Sequence, residues 1–139
     1  MNIIYLDIDG VLNNAYTKER FQNFTGIDKK LRDMFLGWLE DKPYSIVLSS
    51  SWRTDVEFTE ELTRNGITWI SATPHMPFRK RGSEIEASLE IHKPERYVIL
   101  DDYTPSEFLK EQRPFLVQTS EVRGLELKKL QRIDSLLGG

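Results

Sequence analysis

The chain contains no cysteine and only two histidines among its 139 residues. Without cysteine it can form no disulfide, thiolate nucleophile or cysteine-bound zinc site. No apolar run approaches the roughly 18 residues that a membrane-spanning helix needs, so we expect no membrane association. The net charge of −3 at pH 7 gives no global attraction to nucleic acids or membranes, although it is compatible with a local basic patch.

The rest of the composition is that of an ordinary globular protein. Hydrophobic residues make up 39% and charged residues 29%, enough for a core and a solvated surface. The length suits one domain, so we predict a single domain over residues 1–139 and favour a monomer. A strand pattern begins within two residues of Met1, which leaves no room for a signal peptide, so we expect a cytoplasmic protein.

Short apolar segments alternate with helical patterns along the chain. The predicted strands are Ile3–Leu6, Tyr44–Leu48, Ile67–Ile70, Arg96–Leu100 and Phe115–Val117. The predicted helices lie around residues 31–39, after a capping box of Thr54 and Glu57, after Ser83, and around residues 127–137. Strands that are separated by crossover helices favour a five-stranded parallel sheet between two helical layers. The predicted fold class is therefore α/β, a Rossmann-like three-layer αβα sandwich.

Two carboxylates follow the first strand, and they carry most of the functional information. Asp7 and Asp9 are spaced i, i+2 and lead into Gly10, so both can reach one side of the carboxyl edge of the sheet, where ligands bind. Neighbouring carboxylates repel each other and are costly to bury without a positive partner. Oxygen ligands favour Mg²⁺. The pattern predicts a Mg²⁺-dependent phosphoryl-transfer site.

Polar residues also follow other predicted strands. Ser49 and Ser50 come after the second strand, Asp101 and Asp102 after the fourth, and the basic trio 79–81 precedes a helix. By itself the trio is about as compatible with a solvated loop as with a site. If the sheet is doubly wound, all of these groups meet at one edge, and we predict a common site there.

The four elements, in this order, resemble the four motifs of the haloacid dehalogenase (HAD) superfamily of Mg²⁺-dependent phosphatases. The resemblance covers nearly the whole chain. The run Val47–Arg53, the segment Arg81–Ile85 and Asn13 after the first motif further resemble the HAD domain of nucleic-acid repair proteins of the Swiss-army-knife RNA repair type. The resemblance implies a HAD-like fold and phosphatase activity.

The resemblance also implies catalytic roles for individual residues. Asp7 would be the nucleophile that forms an aspartyl-phosphate, and Asp9 the general acid and then the general base. Ser49 would hydrogen-bond the phosphoryl group, although each of the three serines 49–51 can be placed at the strand end. The cation beside the nucleophile would be Lys80 or Arg81, with a slight preference for Arg81.

The metal and substrate contacts follow from the same resemblance. Mg²⁺ would be held by the Asp7 carboxylate, the backbone carbonyl of Asp9 and the Asp101 carboxylate. Asp102 would be a further partner that contacts the metal through water. The residues expected to contact substrate are Gly10, Ser50 and Arg53. For Trp52 we favour a packing role over base stacking.

No cap domain is expected over this site. The segment after the first motif, about residues 13–28, offers only a short flap, and the segment between the second and third motifs holds one helix and one strand. An open site suits a phosphate on a large molecule, such as a nucleic-acid end or a phosphoprotein. Residues expected near the rim slightly favour a nucleic-acid end, with a nucleotide as a further candidate: Arg53, Arg79, Lys80, Arg81 and Trp52. The alternative is a catalytically weak module that binds a phosphate or a partner protein. A phosphoaccepting receiver fits less well, since it needs an acceptor aspartate where this chain has serines.

Overall fold

The computed structural model describes residues 1–138, and its centre is a five-stranded, all-parallel sheet. The elements, in chain order, are β1 (Asn2–Leu6), β2 (Arg20–Phe21), β3 (Phe24–Thr25), α1 (Lys29–Leu39), β4 (Tyr44–Leu48), α2 (Val56–Arg64), β5 (Ser71–Ala72), α3 (Arg81–His92), β6 (Arg96–Asp101), β7 (Leu116–Gln118) and α4 (Leu127–Leu137). The strand order in the sheet is β5-β4-β1-β6-β7, and β2 and β3 form a separate antiparallel hairpin.

Apolar side chains of β1 pack on both faces of the sheet. Leu6 lies in one cluster with Phe35 of α1 and Ile133 of α4. Tyr5, which points to the opposite face, lies in a second cluster with Ile85 of α3. Burial on both faces explains why the central strands are continuously apolar rather than alternating. The predicted α/β fold, with helices on both faces of a parallel sheet and no cap domain among residues 1–138, is confirmed.

The predicted third strand was placed a few residues too early. The segment Ile67–Ile70 does not form a strand, and β5 is the two-residue edge strand that follows it. Ile67 is only 1% exposed because it packs into the core before the chain reaches the sheet. Its apolar character therefore reflects burial rather than strand pairing.

Two helix starts also differ from the prediction. The N-cap of α2 is Asp55, whose carboxylate accepts from the backbone N–H groups of Glu57 and Phe58, while Thr54 belongs to a preceding 3-10 turn. The third helix begins at Arg81, so Ser83 lies inside its first turn. This earlier start places Arg81 at the end of the helix that faces the carboxyl edge of the sheet.

The first strand and the last helix meet at the opposite edge of the sheet. The Asn2 side-chain amide donates to the Leu137 carbonyl at 3.1 Å. Among residues 1–138, no helix has the length and apolar character needed to cross a membrane.

Candidate active site

Three neighbouring strands end side by side at the carboxyl edge. Leu6 of β1 is paired with Leu48 of β4 and with Leu100 of β6, so Asp7, Ser49 and Asp101 follow in register. The Asp7 N–H donates to the Leu100 carbonyl at 3.0 Å, and the Ser49 N–H donates to the Leu6 carbonyl at 2.8 Å. All three side chains are buried. Because side chains alternate along a strand, they continue the sheet face that packs on α3.

Arg81, the first residue of α3, joins two of these strand ends. One guanidinium nitrogen lies 3.2 Å from Asp7 Oδ1 and 2.9 Å from Asp101 Oδ2. The Tyr103 ring lies against the guanidinium, with its centroid 4.1 Å from the central carbon. Burial disfavours the charge on Arg81, but Asp7 and Asp101 outweigh this effect and raise its pKa. Arg81 is therefore a fixed cation beside Asp7.

The other two members of the basic trio make no ion pair with Asp7 or Asp101. The exposed Lys80 ammonium donates to the Ser106 carbonyl at 2.9 Å. Arg79 lines a cleft that Asp102 also lines, but it makes no ion pair with the carboxylates. Of the two cations that the sequence left open, Arg81 is the one in contact with Asp7.

Three carboxylates gather at this edge. Oxygens of Asp7, Asp101 and Asp102 all lie within 4.8 Å of one another. The Arg81 guanidinium donates to one carboxylate oxygen of Asp101, and the Tyr103 backbone N–H donates to the other. By contrast, Asp102 Oδ1 is buried without a hydrogen-bond partner. An unpartnered carboxylate oxygen in such a cluster fits a hard divalent cation such as Mg²⁺.

The charges in the cluster do not balance. Burial raises the pKa of Asp7 well above its ordinary value, and the negative charge of Asp101 adds to this, while Arg81 opposes it. Burial also raises the pKa of Asp102. When ionised, three carboxylates facing one guanidinium leave an excess of two negative charges, which a divalent cation would neutralise.

Gly10 allows Asp102 to approach. Its φ of +80° lies in the left-handed region, and a Cβ at this position would lie 2.2 Å from Asp102 Oδ2. The Thr119 hydroxyl donates to the Gly10 carbonyl at 2.6 Å. A side chain at position 10 would therefore push Asp102 out of the carboxylate cluster.

Asp9 differs from Asp7 because it is exposed. Its carboxylate accepts from the Asn13 side-chain amide at 2.9 Å and from the Trp52 Nε1–H at 3.1 Å. Trp52 is 3% exposed and packs near Phe58, which agrees with the expected packing role. Neither of these two donors to Asp9 was predicted from the sequence. The spacing of Asn13 four residues after Asp9 is the signal that could have indicated the first.

The serines and Arg53 lie at the end of β4. Ser49 Oγ is buried without a hydrogen-bond partner, whereas Ser50 Oγ accepts from the Trp52 N–H at 3.2 Å. The Arg53 side chain is 6% exposed, and its guanidinium donates to the Ser50 carbonyl and to Glu84. The Arg53 donors are thus directed into the protein rather than toward a cleft.

Two of the clefts at this edge border the carboxylate cluster. We call the larger one, of about 740 Å³, the arginine cleft; it is lined by Arg79, Arg81, Glu84, Asp102, Tyr103, Thr104, Glu107 and Glu121. The smaller one, of about 390 Å³, is the hairpin cleft, and the residues lining it include Asp9, Gly10, Phe24, Trp52, Phe58, Asp102 and Glu121. Asp102 lines both clefts, so the carboxylate cluster lies between them.

Of three comparisons with known proteins, one gives a match. No curated protein and no solved structure matches the chain. A family model described as the HAD domain in Swiss Army Knife RNA repair proteins matches residues 3–130, which include the carboxylate cluster, Arg81 and both clefts. The chain therefore belongs to the HAD domain family of Swiss Army Knife RNA repair proteins.

Proposed function

We propose that the protein is a Mg²⁺-dependent phosphomonoester hydrolase that works through an aspartyl-phosphate, with a nucleic-acid end or a nucleotide as its substrate. The observation that carries this proposal is the contrast between the two aspartates. Asp7 is buried against Arg81 and further carboxylates, while Asp9 is exposed and held by two donors. One carboxylate is thus placed to attack and the other to exchange protons with a leaving group or water.

In the first step Asp7 attacks phosphorus. A carboxylate oxygen of Asp7 forms the new bond, the bond from phosphorus to the substrate's ester oxygen breaks, and Asp9 gives its proton to that oxygen. The Ser49 hydroxyl, which has no partner in the protein, and the Arg81 guanidinium would bind phosphoryl oxygens. The alcohol then leaves, and the phosphoryl group stays on Asp7.

In the second step water attacks the same phosphorus. Asp9, now ionised, takes the proton of the water, and the bond from phosphorus to the Asp7 oxygen breaks. Inorganic phosphate leaves, and the Asp7 carboxylate is restored. Trp52 and Asn13 keep the Asp9 carboxylate in position through both steps.

Asp7, Asp102 and the backbone carbonyl of Asp9 would hold the Mg²⁺. This set exchanges the expected roles of Asp101 and Asp102, because both Asp101 oxygens already have partners while Asp102 has a free one. When bound, Mg²⁺ neutralises charge that would otherwise repel an anionic substrate from an anionic nucleophile. We assign Asp101 a positioning role, in which it orients Arg81.

Two observations support the substrate class. In residues 1–138 no inserted domain covers the two clefts, so a phosphate on a large molecule can reach Asp7. The family description also refers to RNA repair proteins. For Arg53 we propose support of the Ser50 loop rather than substrate contact, since its guanidinium is directed into the protein.

Phosphate release tests this proposal. The substrates are a generic aryl phosphate and DNA or RNA oligonucleotides with 3′- or 5′-phosphates, each assayed with Mg²⁺ and with EDTA. We expect release that requires metal and is lost in Asp7→Asn. The matched control is Asp33→Asn, which removes a carboxylate from the exposed surface of α1 and should keep full activity. Full activity in Asp7→Asn would rule out the nucleophile assignment, and no release from any substrate would favour the binding module.

A further inference from the structure

Four aromatic rings connect the hairpin to the general acid. Trp52 donates a hydrogen bond to Asp9. The ring centroids of Trp52 and Phe58 are 4.9 Å apart, and those of Phe58 and Phe24 are 5.5 Å apart. Phe21 completes the cluster at 5.0 Å from Phe58. Trp52 is buried, whereas Phe24 is 55% exposed and lines the hairpin cleft. The aromatic cluster therefore runs from the acid to an exposed ring.

The hairpin that carries Phe24 is fixed to the rest of the protein. The Gln22 side chain at its tip hydrogen-bonds to Glu57 of α2. At its base, the Gly26 carbonyl accepts from the Asn13 amide, which also binds Asp9. The exposed Phe24 ring is therefore part of an anchored wall of the cleft rather than of a loose loop.

The charges of the hairpin cleft indicate what kind of group it accepts. Asp9, Asp102 and Glu121 line it, and none of its lining residues in the described part of the chain is lysine or arginine. A second phosphate would be repelled there. A flat, uncharged group that stacks on an exposed aromatic ring is favoured instead.

Building on the proposed function, we propose that the hairpin cleft binds the base of a nucleoside leaving group, stacked on Phe24. Phe24 is separated from the Asp9 carboxylate by two ring contacts, through Phe58 and Trp52. Asp9 and Phe24 line the same cleft, so the sugar of a nucleotide would link the ester oxygen beside Asp9 to the base at Phe24. An aryl phosphate, whose ring is bonded directly to the phosphate oxygen, would place its ring beside Asp9 and not at Phe24.

The test compares substrates with and without a base. Adenosine 3′- and 5′-monophosphate and ribose 5-phosphate are assayed with the wild type, Phe24→Ala and Phe24→Trp. Since stacking of one base typically contributes enough for a roughly tenfold or larger loss on alanine substitution, Phe24→Ala should lower kcat/KM for the nucleotides by about tenfold. In the same Phe24→Ala variant, turnover of ribose 5-phosphate and of an aryl phosphate should change less than about twofold. Phe24→Trp keeps an aromatic ring, so it should retain the preference for nucleotides.

Phe78→Ala is the matched control, because Phe78 is exposed but lines neither cleft. If Phe24→Ala lowers kcat/KM equally for the nucleotides and for ribose 5-phosphate, or lowers it for neither, the stacking proposal is overturned. An oligonucleotide with a terminal phosphate that shows the same Phe24 dependence would extend it from free nucleotides to strand ends.

A binding measurement separates this proposal from the proposed function. If the wild type hydrolyses none of the substrates, the phosphatase proposal fails. The subsite is still tested by calorimetry, in which adenosine monophosphate or ribose 5-phosphate is titrated into the Asp7→Asn protein in the presence of Mg²⁺. Stacking is supported if Asp7→Asn binds adenosine monophosphate more tightly than ribose 5-phosphate and if this difference disappears in the double variant that also carries Phe24→Ala. Equal affinities would contradict it.

Discussion

Asp7 is 4% exposed, and its carboxyl group lies beside two other carboxylates and one guanidinium. Burial raises its pKa, the Asp101 charge raises it further, and Arg81 offsets only part of the effect. An ionised Asp7 therefore lowers the stability of the metal-free fold. At this position the proposed catalytic role of Asp7 opposes the requirements of folding.

This conflict predicts that Asp7→Asn stabilises the metal-free protein. A folded-state pKa above the unfolded value of about 4 makes the cost of ionisation grow as the pH rises from about 4 through the folded-state pKa. We expect Asp7→Asn to raise the Tm in EDTA at pH 7 by about 2–6 °C. The gain should shrink as the pH falls and vanish well below about 4, where Asp7 is protonated in both states. Thermal unfolding followed by circular dichroism measures both values, and a lower Tm for the variant at pH 7 would contradict the argument.

Trp52 provides a second prediction at the residue scale. Trp52→Phe keeps an aromatic ring but removes the N–H that donates to Asp9. Because a hydrogen bond to a charged group contributes about 1.5–3 kcal/mol, we expect kcat to fall at least about tenfold for an alkyl phosphate. The loss should be smaller for an aryl phosphate, whose good leaving group depends less on the acid.

The ratio of the two kcat values measures this effect. Trp38→Phe is the control, since it removes a tryptophan N–H that donates to Asp134, away from the site. It should lower stability without changing the ratio. Equal losses with both substrates in Trp52→Phe would show that Trp52 does not act through Asp9.

At the scale of elements, Asp134 of α4 joins three parts of the fold. Its carboxylate accepts from Trp38 of α1 at 3.0 Å, from Lys42 at 3.1 Å and from the Tyr44 hydroxyl of β4 at 2.8 Å. Partial burial opposes its ionisation, but these hydrogen bonds outweigh that effect and lower its pKa. The ionised carboxylate therefore stabilises the packing of α4 on α1 and β4.

We predict that Asp134→Asn destabilises the protein by about 1–3 kcal/mol at pH 7. A lowered folded-state pKa gives stability that is present above the unfolded value of about 4 and is lost as the pH falls through the folded-state pKa. The difference from the wild type should therefore narrow below about pH 4. Urea unfolding at several pH values checks this, with Asp33→Asn expected to change the free energy of unfolding by less than about 0.5 kcal/mol. A difference that does not vary with pH would contradict the ionic explanation.

The sequence predicted the elements that are buried on both faces better than those at the edge. The apolar runs of β1, β4 and β6 predicted central strands because residues buried on both faces are almost all apolar. β5 was misplaced because it has only two residues, and its pairing depends on where Ile67 packs. Local periodicity does not contain that tertiary information.

The same distinction applies to the candidate site. Backbone register brings Asp7, Ser49 and Asp101 together, and the strand pattern was sufficient to predict that they would meet. Which carboxylate keeps a free oxygen depends on side-chain pairing with Arg81 and on the approach of Asp102 to Gly10. The sequence pattern does not show such side-chain pairing.

At the scale of the whole molecule, the carboxyl edge carries charge that the protein itself does not neutralise. We predict that saturating Mg²⁺ raises the Tm by several degrees, because a ligand that binds only the folded state stabilises it. Asp102→Asn should lose most of this shift, since it removes the unpartnered oxygen. Glu107→Gln removes a carboxylate that lines the arginine cleft but lies outside the cluster, so it should keep the shift. An equal Mg²⁺ response in both variants would place the ion elsewhere.

The contact between Asn2 and Leu137 has a practical consequence for attaching this protein to other molecules. Both residues lie at the edge of the sheet from which β1 starts, one full strand length from Asp7. This side of the fold is therefore the far side from the two clefts. A label or a tether attached near Asn2 or Leu137 would leave the carboxylate cluster facing the solution.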